Sequence, residues 1–403
     1  MSAPAAPKRV NLRTPEVMEA VQAAVEQHYH SPLVDRLKAN GGRAQFGDVS
    51  VRLAKQFGFC YGVERAIDLA YAARKVFADR NIFLVGEIIH NPDVNAQLAS
   101  MGIRTLSGPC KLTDIDNLSP EDVVIVPAFG AEVAVHDRIK ARGCQIVDTT
   151  CGDVMSVWKR VRQYANDGVT SVIHGKADHE ETRATSSRAR DTQGNGHFVV
   201  VYDLNEADMV CHYIRGKGDR TAFLEKFSHA CSVGFDPDLH LAKVGVANQT
   251  TMLRSETEEV QRRVSEAVVA RDGNADNFRV FDTICGATQE RQDALLELLS
   301  NPPDLMLVVG GYNSSNTTHL ADMAAEKTPT YFVVNASCLD SPARIRHYDT
   351  HGKKEIATEN WMPSGPVSLG ITAGASCPGN LIEDVLRRFL ELRGIALEEA
   401  VAS

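Results

Sequence analysis

The sequence lacks several features that would assign it to common protein classes. No apolar run approaches the roughly 18 residues that a membrane helix needs, so we expect no membrane partner. The formal net charge of -9 leaves no general basic face, which argues against nucleic acid as a partner. The nine cysteines contain no C-x-x-C pair, which disfavours zinc ribbons, thioredoxin-type sites and bacterial ferredoxin runs. Their odd number, without a secretory leader pattern, predicts a reducing compartment.

The chain instead alternates between predicted strands and helices from residue 51 to residue 376. The predicted strands are mostly continuous apolar runs, which is typical of parallel strands buried on both faces. The fold class predicted is therefore α/β with mostly parallel sheets, and a single doubly wound sheet is the alternative arrangement. The strand candidates are 82–85, 123–126, 170–173, 197–201, 242–247, 306–309, 331–334 and 367–371.

A five-residue motif, Asp-Thr-x-Cys-Gly, occurs twice, as Asp148-Thr149-Thr150-Cys151-Gly152 and as Asp282-Thr283-Ile284-Cys285-Gly286. The two copies divide the alternation into comparable parts, so 403 residues are expected to form three pseudo-repeated α/β lobes. A disordered arm over residues 1–12 is expected to open the first segment. The segments are an N-terminal extension (1–50), lobe 1 (51–151), lobe 2 (152–281, with a less regular insertion at about 188–240), lobe 3 (282–376) and a C-terminal helix (377–403).

Three cysteines far apart in sequence share one kind of position. Cys151 and Cys285 each lie between a predicted strand and a predicted helix, and Cys60 follows a strand-like run over 53–59 in the same way. Backbone N–H groups and the positive end of a helix dipole lower the pKa of a thiol. If the three turns converge, they form one site with three thiolates. Three unrelated buried cysteines are the alternative, because free cysteine is among the most buried residue types.

Polar residues gather after five further strands, where open parallel sheets bind ligands. They offer hydroxyls, amides, imidazoles and free N–H groups, which suit phosphate oxygens without a Walker lysine. Helix capping would explain each cluster taken singly, but their joint placement favours an anion site. The clusters are 86–91, 174–182, 248–251, 313–318 and 372–376.

One of these clusters contains adjacent acids beside a histidine, His179-Glu180-Glu181. A carboxyl in a dry site has its pKa raised into the working range, so this group could deliver protons. The alternative is a solvated helix start whose acids complement the helix dipole. The residues themselves do not choose between the two.

Seven segments together resemble the signature blocks of the 4-hydroxy-3-methylbut-2-enyl diphosphate reductase family, which catalyses the last step of the methylerythritol phosphate route to isoprenoids. The match runs in the same order from about residue 53 to residue 376. It implies three α/β lobes around an iron–sulfur cluster. In one-letter code the blocks are GFCYGVERA (58–66), GEIIHN (86–91), DTTC (148–151), HEET (179–182), NQTT (248–251), NSSN (313–316) and TAGAS (372–376).

The resemblance implies that Cys60, Cys151 and Cys285 hold a [4Fe-4S] cluster with one iron open to the substrate's hydroxyl. An iron without a thiolate is exposed to oxidative loss, so a [3Fe-4S] cluster or an empty site is compatible with the resemblance. The implied chemistry is two one-electron reductions, loss of water and protonation of an allyl anion to isopentenyl or dimethylallyl diphosphate. The implied electron donor is ferredoxin or flavodoxin, since no G-x-G-x-x-G nucleotide motif is evident.

The same resemblance assigns roles to the polar clusters. Glu181 matches the carboxyl that feeds protons towards the leaving hydroxyl, with Thr250 and His179 in the same relay. The positions that match substrate-holding residues, most of them through the diphosphate, are His90, His179, Thr250, Ser314, Ser315, Asn316 and Ser376.

The match departs from many bacterial members at Phe129. Those members have a diphosphate-binding histidine in an Ala-His-Gly segment, and this chain has Ala128-Phe129-Gly130. The variant resembles the plant and cyanobacterial branch, which implies the cytoplasm, or the plastid stroma for a processed eukaryotic protein. His136 lies near in sequence, on the following helix. The other six cysteines match no cluster position and are expected to be structural, with Cys377 the most readily oxidised.

Two other functions remain open at this point. Three thiolates with a water in the fourth position could bind zinc and hydrolyse a phosphorylated substrate. The chain could also be a non-catalytic iron–sulfur binding module.

Overall fold

The computed structural model describes residues 10–108, 111–281 and 284–396. Most of the arm predicted over residues 1–12 lies outside the described residues, as do Cys110, the Asp282-Thr283 pair and the end of the predicted C-terminal segment. The helices are α1 (Pro15–Tyr29), α2 (Pro32–Ala39), α3 (Tyr61–Val76), α4 (Pro92–Ser100), α5 (Val133–Ala141), α6 (Gly152–Asn166), α7 (Glu180–Ser186), α8 (Leu204–Ile214), α9 (Arg220–Phe227), α10 (Pro237–His240), α11 (Arg254–Asp272), α12 (Gly286–Leu299), α13 (Ser315–Ala325) and α14 (Gly379–Leu392). The strands are β1 (Arg43–Phe46), β2 (Val49–Leu53), β3 (Ile82–Leu84), β4 (Ile103–Thr105), β5 (Val123–Val126), β6 (Gln145–Asp148), β7 (Thr170–His174), β8 (Phe198–Val201), β9 (Val244–Asn248), β10 (Phe278–Val280), β11 (Leu305–Val309), β12 (Thr330–Val333), β13 (Arg344–Asp349), β14 (Lys354–Glu359) and β15 (Val367–Ala373).

In the described part of the chain the strands form three larger sheets and one two-stranded ribbon. The strand orders are β1-β2-β15-β11-β12, β4-β3-β5-β6 and β10-β9-β7-β8, and the ribbon is β13-β14. Strand β1 runs antiparallel to β2, whereas β2–β15, β15–β11, β11–β12, β5–β6, β8–β7, β7–β9 and β9–β10 are parallel. This confirms the α/β class with mostly parallel sheets, and the alternative of a single doubly wound sheet is wrong.

The described chain divides into two compact units. The first comprises residues 83–86 and 105–285, and the second comprises residues 10–82, 87–104 and 286–396. The boundaries of the three expected lobes stay a prediction.

The core of the first unit contains the apolar strands β7, β8 and β9 with one face each of α8 and α11. The region expected to be a less regular insertion, 188–240, contributes β8, α8, α9 and α10. Helix α8 is regular because Ala207, Val210, Cys211 and Ile214 form one buried helical face.

The core of the second unit surrounds β11 and β15, whose residues are buried almost throughout. Helix α2 of the N-terminal extension contributes Leu33, Val34 and Leu37 to this core. The strand expected over 53–59 is wrong, because β2 ends at Leu53 and the chain then turns through Gly58, whose φ is +86°. None of the described helices combines the length and apolar content that a membrane crossing requires.

Candidate functional site

All three predicted cysteines directly precede a helix. Cys60 and Cys151 are the N-cap residues of α3 and α6, and Cys285 precedes the first residue of α12. The predicted position of each cysteine at a helix start is therefore confirmed, and all three are free thiols. Helix N-termini favour the thiolate form that binds metals. The convergence of the three thiols on one cluster stays a prediction.

Residues of the first copy of the repeated motif stabilise the turn at Cys151 through hydrogen bonds. The hydroxyl and the N–H of Thr150 both donate to Asp148 Oδ1, at 2.5 and 2.9 Å. The Thr149 hydroxyl donates to the carbonyl of Val126 at 2.6 Å. The N–H of Cys151 then donates to the carbonyl of Ala128 at 2.8 Å. Aspartate and threonine thus orient the backbone that presents the thiol.

The turn at Cys60 is held from two sides within the second unit. The N–H of Cys60 donates to the carbonyl of Ala375 at 3.1 Å. The guanidinium of Arg291, a buried side chain on α12, donates to the carbonyl of Gly58 at 2.6 Å. Sequence reasoning missed Arg291, because an arginine between Glu290 and Gln292 reads as a solvated helical residue.

In the first unit Glu181 and Thr250 form a buried acid–hydroxyl pair. Glu181 is only 3 % exposed. Its carboxylate accepts the Thr250 N–H at 2.6 Å and the Thr250 hydroxyl at 3.0 Å. The carbonyl of Thr250 accepts the N–H of Cys285 at 3.4 Å. The structure therefore places the predicted proton carboxyl, its relay hydroxyl and a predicted cluster ligand next to one another.

His179 caps the helix that carries Glu181. Its Nδ1 accepts the N–H of Glu181 at 3.1 Å, so the neutral ring carries its proton on Nε2. The ring of Phe129 lies edge-on to it, with centroids 6.3 Å apart. Glu180 is exposed whereas Glu181 is buried, so only Glu180 fits the solvated helix start. His136 lies on α5 and is half-buried.

A second residue that sequence reasoning missed, Gln249, fixes the start of α7. Its Oε1 accepts the Thr182 hydroxyl at 3.1 Å and the N–H of Lys176 at 3.2 Å. A Cβ on Gly175 would lie 2.9 Å from both Gln249 and Thr182, so only glycine permits this approach. Its position within the block Asn248-Gln249-Thr250-Thr251 was the available signal.

In the second unit the start of α13 presents unpaired polar atoms. Ser314 caps the helix, and its Oγ accepts the N–H of Thr317. Ser315 and Asn316 are buried, and neither Ser315 Oγ nor Asn316 Nδ2 has a hydrogen-bond partner among the residues the structure describes. Buried polar atoms without partners are costly, which indicates a ligand at this helix N-terminus. An anion suits the position, because the N–H groups and the dipole of the helix favour negative charge.

Ser376 and His90 lie together in the same unit. The Ser376 hydroxyl donates to the carbonyl of His90 at 3.2 Å, and the Asn91 amide donates to the carbonyl of Ser376 at 3.0 Å. His90 Nδ1 lies 2.9 Å from the carboxylate of Glu87. A Cβ on Gly311 would lie 2.2 Å from the carbonyl oxygen of His90, so glycine is required there. The Asn316 Oδ1 accepts the N–H of Ala375 at 3.0 Å, which ties α13 to the Ser376 loop.

The expectation that Cys377 is the most readily oxidised structural cysteine is wrong. Cys377 has no solvent exposure, and burial raises the pKa of its thiol. An inaccessible neutral thiol is the least reactive form of cysteine. Cys144, Cys211 and Cys338 are also buried, whereas Cys231 is partly exposed.

Free thiols at helix starts and a helix N-terminus with unpaired polar atoms are each typical of α/β proteins that bind metal centres or anions. The chain belongs to the LytB protein family, whose family model matches residues 51–390.

Relatives named 4-hydroxy-3-methylbut-2-enyl diphosphate reductase match nearly the whole chain. The Thermosynechococcus vestitus protein is 47% identical over 94% of this chain and 93% of its own length. The Gloeobacter violaceus protein is 47% identical over 93% of this chain and 90% of its own length. A solved structure of the enzyme described as the terminal one of the non-mevalonate pathway is 26% identical, with a TM-score of 0.52 over 85% of this chain and 99% of that one. The Plasmodium falciparum reductase structure, 20% identical, shares the fold with a TM-score of 0.61 over 84% of this chain and 87% of that one.

Proposed function

We propose that this chain reduces (E)-4-hydroxy-3-methylbut-2-enyl diphosphate to isopentenyl diphosphate and dimethylallyl diphosphate, the terminal step of non-mevalonate isoprenoid biosynthesis. Cyanobacterial relatives that carry the reductase name align with it over nearly their full lengths. The observation that carries the proposal is the buried Glu181–Thr250 pair beside the backbone of Cys285. This arrangement suits proton delivery next to a metal centre.

Cys60, Cys151 and Cys285 would hold a [4Fe-4S] cluster. The donor set fits, because three free cysteines at helix starts offer the soft sulfur ligands that iron–sulfur clusters bind. When bound, such a cluster supplies single electrons and one iron that is open to an alcohol oxygen. A protein loaded with zinc and lacking broad visible absorbance would contradict this assignment.

The second unit supplies the groups for the diphosphate. Ser315 Oγ and Asn316 Nδ2 are buried and need partners, and phosphate oxygens at a helix N-terminus would provide them. Ser376 and His90, joined by the hydrogen bond between them, would add a hydroxyl and an imidazole. Holding the diphosphate in this way orients the hydroxylated end of the substrate.

The first unit supplies the protons. The overall reaction consumes two electrons and two protons, one for the departing hydroxyl and one for the allylic carbon. In the structure the Thr250 hydroxyl donates to Glu181 Oε2 at 3.0 Å. For proton delivery Glu181 would first take up a proton on Oε2, and Thr250 would then give its hydroxyl proton to the substrate oxygen and receive the proton of Glu181 in its place. The Nε2–H of His179, set by the bond that its Nδ1 accepts, is a further donor.

The test is anaerobic turnover of the substrate with reduced methyl viologen, comparing Glu181→Gln with the wild type. We expect Glu181→Gln to lower turnover by about 10²–10⁴-fold, the usual contribution of a general acid. Its iron content and its affinity for inorganic diphosphate should stay unchanged. Glu225→Gln is the control for loss of a carboxylate, because Glu225 is an exposed glutamate on α9, and it should keep wild-type turnover. Wild-type turnover in Glu181→Gln would remove this carboxyl from the mechanism.

A further inference from the structure

We propose that one exposed stripe of α6 is the docking site for a small acidic ferredoxin. The stripe consists of Met155, Lys159, Arg162 and Asn166, and we call it the α6 stripe. The proposal rests on the proposed function, because a reductase that consumes single electrons needs a partner that delivers them.

The four residues of the α6 stripe share one side of the helix. Their spacings of four, three and four residues bring successive members above one another. All four are exposed, and Met155 exposes 43% of its surface. Together with Trp158 and Gln163 they line a shallow cavity of about 480 Å³.

The α6 stripe carries positive charge that the chain itself does not neutralise. Neither Lys159 nor Arg162 forms an ion pair with any residue in the described ranges. Asp153, the acid in the first turn of α6, lies about 200° around the helix from Met155 at 100° per residue, away from the stripe.

The long helix α11 shows the opposite arrangement. Each of its paired arginines meets an acid on the same helix within one turn. The pairs are Arg254–Glu258, Arg262–Glu259, Arg262–Glu266 and Arg263–Glu259. The α6 stripe thus differs from α11 in carrying two cations without an acidic partner in the described residues, in a chain whose net charge is -9. An acidic partner would be attracted to this surface and repelled by the chain as a whole.

The α6 stripe lies on the helix that a predicted cluster ligand caps. Cys151 caps α6, and its carbonyl accepts the N–H of Met155 at 3.0 Å. At about 1.5 Å of rise per residue, Met155 lies about 6 Å and Arg162 about 17 Å along the axis from Cys151. A carrier seated on the α6 stripe would therefore be separated from Cys151 by about one to three helical turns.

The size of the α6 stripe favours a small partner. Its length of about 17 Å suits the small interfaces that transient electron-transfer complexes form. Long-range attraction rather than buried area would bring such a partner to the site. A ferredoxin, a compact acidic iron–sulfur carrier, matches both requirements, and flavodoxin is the alternative that the experiment tests.

Trp158, which also lines this cavity, is held by contacts that involve neither Lys159 nor Arg162. The Arg188 guanidinium stacks 3.3 Å from the ring centroid of Trp158 and donates to the carbonyl of Ala131. A Cβ on Gly130 would clash with Trp158, so this ring also fixes the loop after β5. Neither Lys159 nor Arg162 is a partner in these contacts.

The experiment compares the holoenzyme with Lys159→Glu/Arg162→Glu in anaerobic turnover of the hydroxylated allylic diphosphate. Electrons come from a reduced plant-type ferredoxin, a reduced flavodoxin or reduced methyl viologen, each at ionic strengths from about 0.01 to 0.3 M, across which the Debye length shrinks from about 30 Å to under 8 Å. The matched control is Lys217→Glu/Lys243→Glu, which makes the same charge change at two other exposed lysines of the first unit.

We expect the α6 variant to lose at least tenfold in kcat/KM for ferredoxin at low salt, and to lose most of the salt dependence of the wild type. Its rate with viologen should stay within about twofold of the wild type, which also shows that the variant is folded and loaded. The control should keep the ferredoxin rate of the wild type.

Three results would overturn the docking site. They are an unchanged ferredoxin rate in the α6 variant, an equal loss in the control, and a loss of the flavodoxin rate without a loss of the ferredoxin rate. A wild-type protein inactive with viologen would instead refute the proposed function, so the two failures are distinguishable.

Discussion

Arg291 provides a quantitative test of how the Cys60 turn is held. The guanidinium is buried, and it donates to the carbonyl of Gly58 at 2.6 Å and to that of Ala287 at 2.7 Å. Of these two bonds, the one to Gly58 crosses to the cysteine turn. A hydrogen bond from a charged donor contributes about 1.5–3 kcal/mol. Arg291→Met should therefore raise the population of the opened turn by about 10–150-fold, at 1.4 kcal/mol per factor of ten.

Hydrogen exchange of the backbone amides measures this opening without assuming that the whole protein unfolds in one step. The reporting amide is that of Cys60, which donates to the carbonyl of Ala375 in the closed turn. In Arg291→Met the peptide containing Cys60 should exchange about 10–150-fold faster than in the wild type. Arg291→Lys should fall between the two, because one ammonium lacks the fork that reaches both carbonyls.

Arg387→Met is the control for loss of an arginine. Arg387 is exposed and pairs with Glu383 one turn away on α14, so its removal should leave the Cys60 peptide unchanged. Iron release from the loaded protein should also speed up in Arg291→Met and not in the control. If exchange at Cys60 is the same in Arg291→Met as in the wild type, the bond to Gly58 does not hold the turn.

Three further predictions follow from single side chains. Thr250→Val should lower kcat by about 10–100-fold with KM within about threefold, because it removes the hydroxyl that donates to Glu181, and Thr250→Ser should restore the rate in the same assay. Ser315→Ala should weaken binding of inorganic diphosphate about tenfold by calorimetry while leaving thermal unfolding unchanged, because Ser315 Oγ has no hydrogen-bond partner in the described structure; a lowered unfolding temperature would contradict this. Burial raises the pKa of Cys377 above the ordinary 9.0, so its neutral thiol stabilises the fold below about pH 9, and this contribution declines as the pH rises further. Iodoacetamide at pH 8.5 should label Cys377 only after unfolding, whereas it should label the partly exposed Cys231 in the native protein, as mass spectrometry would detect.

The strands that sequence reasoning located best are those buried on both faces. The run 123–126 is β5 itself, and the run 306–309 differs from β11 by one residue. A continuous apolar run is readily recognised as a buried strand, because all of its side chains favour burial on one face or the other. The strand predicted before Cys60 was wrong, and this segment does not meet the same criterion, because Lys55 and Gln56 interrupt its apolar residues. Ala54 and Phe57 are buried although they lie beyond the end of β2, so burial alone did not indicate a strand.

The residues that sequence reasoning missed are polar groups whose partners lie far away in the chain. Arg291 is buried because it satisfies the carbonyl of Gly58, 233 positions earlier. Gln249 is buried because it accepts from Thr182, 67 positions earlier. Neighbouring residues in the sequence do not indicate such distant hydrogen bonds, and arginine and glutamine are usually exposed residue types. The proposed anion site was easier to locate, because Ser, Asn and Thr at the start of a helix after a buried strand form a local pattern.

The choice between Glu180 and Glu181 shows how such distant contacts select a functional group. The two acids are adjacent, so a helix turns them about 100° apart and only one can face the sheet. The bond from Thr182 to Gln249, which Gly175 permits by lacking a Cβ, helps to fix the rotation of α7 together with its buried face. That rotation buries Glu181 against Thr250 and leaves Glu180 in water. The side chain of Gln249 therefore helps to select which carboxyl is buried. Its own hydrogen bonds in the described residues go to Lys176, Thr182 and Thr251, not to Glu181 or the cysteines.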